Sequence, residues 1–146
     1  MAPTELIDIA PDDPRLVDDV YPVLHELREH LTPESLREIY DRGHSQGLRF
    51  LAAYDRPHCV GVAGWRIVAT TASVLKLYID DLVTTADRRS SGVGAMLVAE
   101  LERRAREHGC SALDLDSGVH RSGAHRFYFR EHLTITSFHF AKNLSQ

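Results

Sequence analysis

Two groups of residues that could do chemistry stand close together in the middle of the chain. Asp80 and Asp81 are adjacent carboxylates set among Leu77, Ile79, Leu82 and Val83, and Arg88-Arg89-Ser90-Ser91-Gly92-Val93-Gly94-Ala95 follows shortly after. A carboxylate amid apolar neighbours can serve as a general base or draw in a cationic amine, its pKa raised by burial or by the like charge beside it. Capping or an ion pair is the other use of such a pair. Strand alternation sends the two to opposite faces unless a bulge rotates one. The second group suits an anion. Gly92 and Gly94 remove β-carbons where a ligand must approach backbone, and a helix opening there presents unpaired N–H groups at its positive end. Ser90 and Ser91 add hydroxyls, and Arg88 or Arg89 adds charge. A tight strand-to-helix turn is the bland alternative. The loop is neither a Walker loop, since no Gly-Lys-Ser/Thr follows, nor a dinucleotide fingerprint, since the third glycine is absent.

The elements that position these groups read as one α+β domain over residues 1–146. Thr4 to Ala10 predicts a first strand, closed by Pro11 and Pro14. An amphipathic helix follows to about His30, with Leu16, Val20, Val23, Leu24 and Leu27 on one face, Asp12 or Asp13 as cap and a break at Pro22. Thr32-Pro33 opens a second helix that ends at Gly43 or Gly47. Leu48–Tyr54, Cys59–Val68 and Val74–Val83 predict three strands in an antiparallel meander, with a turn at Asp55-Arg56-Pro57-His58. Val93, Leu97, Leu101 and Ala105 stripe a long helix from Gly92 to His108, with Glu100/Arg104 and Glu102/Arg106 pairs on its wet face and Gly109 as its stop. Ser111–Asp116 is a strand returning parallel to the one before this helix, Ser122–Glu131 a short helix, and Leu133–Phe140 a last strand of alternating character.

A net charge of −4 excludes a nucleic-acid binder built on a broad basic surface. No apolar run approaches bilayer-spanning length and no signal peptide begins the chain, so no membrane partner and a cytoplasmic, reducing setting are expected. Cys59 and Cys110 form no paired motif and read as small buried hydrophobes. No metal is expected: His25 and His30 are five residues apart, on different helix faces, and His120 and His125 share that spacing.

The spacing Arg89-x-x-Gly92-x-Gly94 resembles the acetyl-CoA pyrophosphate loop of the Gcn5-related N-acetyltransferases, the GNAT superfamily. The count of seven from Leu82 to Arg89 matches that family, as does a later helix bearing Phe127-Tyr128 within Ala124–Arg130. The family often has Gly where Ser90 stands and Gly-Phe where His132-Leu133 stands, and its asparagine before the tyrosine helix falls at Arg121 or its neighbours. The resemblance implies a mixed, mostly antiparallel twisted sheet with a splayed parallel strand pair and flanking helices. It implies acetyl-CoA as acyl donor, with Leu82, Val83 and Thr84 along the pantetheine, the 88–95 loop on the diphosphate and Phe127 nearby. Tyr128 becomes the general acid to the CoA sulfur, and the N–H of Val83 the group that polarises the thioester carbonyl. Asp116, Ser117, His120 and His125 are further proton-handling candidates. Tyr78 to Thr84 is also similar to spermidine/spermine N-acetyltransferases. The expected activity is direct acetylation of a small-molecule primary amine in a ternary complex. A CoA-sensing module without turnover and a protein N-acetyltransferase are the alternatives. Tyr21, His25, Arg28, Tyr40 and Phe138 are eligible to line the acceptor pocket, and the final strand to form a homodimer edge.

Overall fold

Where apolar residues alternate or run together, the chain pairs into five strands, and the computed structural model describes residues 3–145. They are β1 (Glu5–Ile9), β2 (Arg49–Asp55), β3 (His58–Thr70), β4 (Val74–Thr84) and β5 (Ala112–Leu115), in that spatial order. The first four pair antiparallel in sequence order, as the meander predicts, and β5 lies parallel to β4. Two contacts tie the start of β4 to β5 and the residue before it. Ser111 N–H donates to Leu75 O at 2.8 Å and Lys76 pairs with Asp114 at 2.8 Å.

Helices cover both faces. On one, Leu16, Val20, Val23, Leu24, Leu36 and Tyr40 pack against Phe50, Ala52, Tyr54, Val62 and Val83. Pro22 has no N–H to donate, and the helix changes pitch beside it: a π-turn over Leu16–Val20, where Tyr21 N–H reaches back to Leu16 O, becomes α1 (Tyr21–Leu27). Asp13 serves as the cap of this helix, as expected: its Oδ1 accepts the Arg15 N–H at 2.9 Å with Pro14 between them, and the same carboxylate pairs with the Arg15 guanidinium. α1 stops at Leu27, short of His30, because Leu31 N–H turns back to Arg28 O at 3.1 Å to set up the next start. There Thr32 and Ser35 exchange hydrogen bonds in a capping box, with Pro33 in the first turn of α2 (Pro33–His44).

On the other face lies α3 (Val93–Glu107), whose Val93, Leu97, Leu101 and Ala105 are all buried as the stripe requires. Its wet face carries Glu100–Arg104 at 2.7 Å, while Arg103 pairs with Glu100 and Glu107, and Arg104 reaches Asp8 in β1. Glu102/Arg106 makes no ion pair among the described residues. Gly109 stops the helix at φ +76°.

Residues up to Asp114 form one compact unit and residues from Leu115 on form another. The second contains α4 (Ser122–Arg130), which buries no residue fully. α4 ends in a Schellman motif: Leu133 N–H bonds Tyr128 O at 3.0 Å and His132 N–H bonds Phe129 O at 3.1 Å, with His132 at φ +67°. The predicted last strand, Leu133–Phe140, is not a strand. Its alternation defines a face to bury, but a strand also needs a neighbouring edge, and none is paired with it among the described residues. Ile135, Phe138 and Phe140 are left 72%, 83% and 91% exposed. Among the described residues no helix is long and apolar enough to cross a membrane.

Candidate active site

The anion loop begins where β4 leaves the sheet. Thr85 N–H donates to Val60 O at 3.0 Å, a single 3-10 turn spans Ala86–Arg88, and Ser90 and Gly92 follow with φ of +66° and +92°. Gly92 is the N-cap of α3 and no side chain caps the helix, nor does any acidic residue occupy its first turn. The first intrahelical bond is Met96 N–H to Gly92 O at 3.0 Å. The N–H groups of Val93, Gly94 and Ala95 therefore have no acceptor within the helix, and the dipole's positive end lies beside them. A β-carbon on Gly92 would meet nothing within 4 Å, so the approach is open. These residues fit a diphosphate.

The two loop arginines differ. Arg88 is held in an ion pair with Asp55, whereas Arg89 is exposed and makes no ion pair among the described residues. Arg89 is thus the guanidinium available to an anion. Ser91 spends its hydroxyl proton on Arg88 O, and Glu26 takes the Ala86 N–H at 3.1 Å.

Register with β3 decides which backbone groups of β4 point to its other side. Thr84 pairs with Gly61 and Val83 with Val62, and Thr85 N–H is bonded to Val60. Antiparallel alternation then turns the Val83 N–H toward Val62 O, and those of Leu82 and Thr84 to the edge away from β3. The donor expected at Val83 is spent inside the sheet; the donors at that edge belong to its neighbours. Val83 contributes a buried side chain to the core instead.

A bulge governs the acidic pair. Gly64 pairs with Asp81 and Trp65 with Ile79, so Asp80 is the extra residue of β4. Asp80 is gripped at both oxygens by Arg66, at 3.0 and 2.9 Å. Asp81 accepts from Arg28 at 2.8 Å through Oδ1, and Arg28 also reaches Asp80 O at 3.3 Å. Strict alternation is overridden, and two acids and two guanidiniums gather into one cluster. Gly64 makes the space: a β-carbon there would stand 3.0 Å from Phe50 Cε1 and 3.3 Å from Asp81 Oδ2. Burial raises the Asp81 pKa, the Arg28 charge and hydrogen bond pull it down, the Asp80 charge adds to the rise, and the net shift is upward. Arg28, eligible from sequence only as lining, and Arg66, which carried no signal, are the residues that sequence reasoning missed. They lie 53 and 14 positions from their partners, beyond any local pattern.

The other pocket candidates separate. Tyr40 is fully buried and donates to Ile9 O at 2.6 Å, so it belongs to the core. Tyr21 donates to Leu31 O at 3.0 Å, with His25 against its ring. Phe138 lies in the uncovered C-terminal segment.

Within the second unit, Tyr128 is half-buried on α4 with its ring edge-on to Phe127, centroids 5.6 Å apart. His125 Nε2 lies 2.9 Å from Gly118 O, Asp116 lies 3.5 Å from His139, and the buried Ser117 hydroxyl has no hydrogen-bond partner among the described residues.

The sequence matches the acetyltransferase (GNAT) family over residues 14–132. It is similar to a protein of Bacillus subtilis (strain 168) named uncharacterized N-acetyltransferase YhdJ, 34% identical over 124 residues, 84% of this chain and 87% of that protein. It is also similar to the aminoalkylphosphonate N-acetyltransferase of Salmonella typhimurium (strain LT2), 36% identical over 66 residues, 45% of this chain and 43% of that protein. Among solved structures, aminoglycoside N-acetyltransferase AAC(6')-Iy in complex with CoA shares the fold, with a TM-score of 0.85 at 12% identity over 99% of this chain and 97% of that one. The uncapped helix start behind β4, the sheet order and these likenesses agree: the chain belongs to the acetyltransferase (GNAT) family and is an acetyltransferase.

Proposed function

We propose that the protein transfers an acetyl group from acetyl-CoA to the primary amine of a small molecule, by direct attack in a ternary complex. The observation that carries this reading is the start of α3, where uncapped N–H groups, an open Gly92 and an unpaired Arg89 follow directly on β4. Acetyl-CoA supplies the thioester acetyl group. Arg88, Arg89, Ser90, Ser91 and the backbone of Gly92–Ala95 form the loop for its diphosphate, with Arg89 providing the charge and Arg88 bracing the loop through Asp55. The Leu82 and Thr84 N–H groups serve the pantetheine and the thioester oxygen.

Asp81 accepts the proton of the amine, its raised pKa matching it to that task, while Asp80 and Arg66 hold the bulge. Tyr128 returns a proton to the departing sulfur and Phe127 packs beside the cofactor, both by their place in the family motif. A small-molecule acceptor agrees with relatives named for aminoalkylphosphonate and aminoglycoside. We also propose a single acetyltransferase domain working in the cytoplasm, where the free thiols of Cys59 and Cys110 stay reduced. The uncovered Phe138 and Phe140 suit a homodimer contact. The test is release of CoA thiol on mixing protein, acetyl-CoA and a panel of amines. Turnover that falls in Tyr128→Phe while acetyl-CoA still binds supports the reading, and no release with any amine overturns it.

A further inference from the structure

The two ion pairs of the acidic cluster are built differently. Arg66 holds Asp80 fork-to-fork through both carboxylate oxygens, and each side chain is only 22% exposed. Arg28 meets Asp81 through Oδ1 alone, and Oδ2 receives no hydrogen bond among the described residues. The exposures are also unequal: Arg28 is 45% exposed and Asp81 16%. Arg28 stands just beyond α1, where its backbone is fixed by bonds to Leu24 and Leu31 while its long side chain reaches across to β4. One pair is locked. The other has a buried acid, a spare oxygen and a guanidinium half in water.

We propose that Arg28 is a specificity residue: acceptors carrying an anionic group a short distance from the amine take Arg28 from Asp81 as their amine takes its place. The proposal rests on the acetyltransferase reading above. Local charge carries it. Two carboxylates and two guanidiniums already balance, so a simple amine that reaches Asp81 leaves the Arg28 charge without a partner. An amino acid or aminoalkyl acid exchanges partners without stranding any charge, its ammonium going to Asp81 and its anion to the planar fork of Arg28. The half-exposed guanidinium swings away with little loss, because its own charge is already partly hydrated and the ammonium takes its place on the buried acid. Since Arg28 and Asp81 now touch, amine and anion on the acceptor must be separated by a short spacer, about two or three carbons at bond lengths near 1.5 Å. Carboxylate and phosphonate share the geometry that the fork recognises.

The test compares 3-aminopropanoate, 2-aminoethylphosphonate and propylamine as acceptors for the wild-type protein, Arg28→Gln and Arg28→Lys. Expected is a kcat/KM for at least one acid that exceeds that of propylamine by about tenfold or more, the scale of one charge-assisted contact. That advantage should disappear in Arg28→Gln through a raised KM, and return in part in Arg28→Lys, which keeps the charge without the fork. Whichever acid is faster identifies the anion. Equal kcat/KM for all three acceptors in the wild type overturns the exchange while leaving acetyl transfer intact, as does an acid preference that survives Arg28→Gln. Absence of turnover with all three, in protein that binds acetyl-CoA, overturns the amine-acetylation reading and the exchange with it.

Discussion

A β-carbon on Gly61 would stand 2.7 Å from Val93 Cγ1 and 3.2 Å from Leu97 Cδ1. β3 and the first turn of α3 therefore touch where the strand has no side chain, and this contact fixes the helix start proposed to face the diphosphate. Glycine inside β3 is a packing requirement, not a weakness of the strand. Gly61→Ala forces Val93 aside and is expected to destabilise the fold by about 1–3 kcal/mol, as overpacked cores do. Thermal unfolding measures that loss, and acetyl-CoA affinity should fall in parallel because Val93 opens α3.

Arg88 and Arg89 are adjacent but differently placed, the first paired with Asp55 and the second exposed. Arg89→Ala should weaken acetyl-CoA binding by about tenfold or more, the scale of a hydrogen bond to a charged group, with no change in melting temperature. Arg88→Ala breaks the pair with Asp55, whose partners are 39% and 24% exposed, and should lower stability by less than about 1 kcal/mol. Calorimetric titration and thermal melts of the two variants separate the roles.

Asp81 gives a pH dependence with a definite sign. Burial raises its pKa in the folded protein, with the charges of Arg28 and Arg66 opposing and that of Asp80 adding. The folded state therefore binds this proton more tightly than the unfolded chain. Stability from the group is full below the ordinary carboxylate pKa and is lost as pH rises through the raised folded value. Asp81→Asn removes that loss, so the variant's melting temperature should no longer fall between acid and neutral pH and should lie above the wild-type value at neutral pH. The same substitution should reduce kcat/KM by about a hundredfold or more, and abolish an acid limb lying above the usual carboxylate range. Melting curves and pH–rate profiles on both proteins check the two halves.

His132 occupies the left-handed position of the Schellman motif that ends α4, at φ +67°. A side chain there is strained, and glycine is the residue that fits. His132→Gly should stabilise the protein by up to about 1 kcal/mol, raising the melting temperature by roughly 2–4 °C if unfolding is concerted. Differential scanning calorimetry measures it.

Much of this architecture was legible in the sequence because its determinants are local. Thr32-Pro33 with Ser35 names its own helix start, the Val93–Ala105 stripe names its buried face, and Gly92 and Gly109 bracket α3. Leu133–Phe140 misled because alternation is a local property while strand formation depends on a partner edge. Pro22 announced a break but not its form, a change of hydrogen-bond pitch rather than a gap. At the candidate site, the loop that opens into an uncapped helix start could be read directly, since its glycines and the helix start lie together in the chain. The partners of Asp80 and Asp81 could not, because Arg28 and Arg66 come from other elements and a one-residue bulge decides which way the acids turn. Likewise the choice between the N–H groups of Val83 and its neighbours follows from register with β3, which one strand's sequence does not contain.

The account's central claim is that the start of α3 holds the acyl donor. Calorimetric titration of the protein with acetyl-CoA, against CoA and ATP, tests it most directly. The account predicts one site per chain with micromolar affinity for acetyl-CoA, comparable binding of CoA and little binding of ATP. Absence of acetyl-CoA binding would contradict it, leaving Arg89–Gly94 as no more than the turn between a strand and a helix.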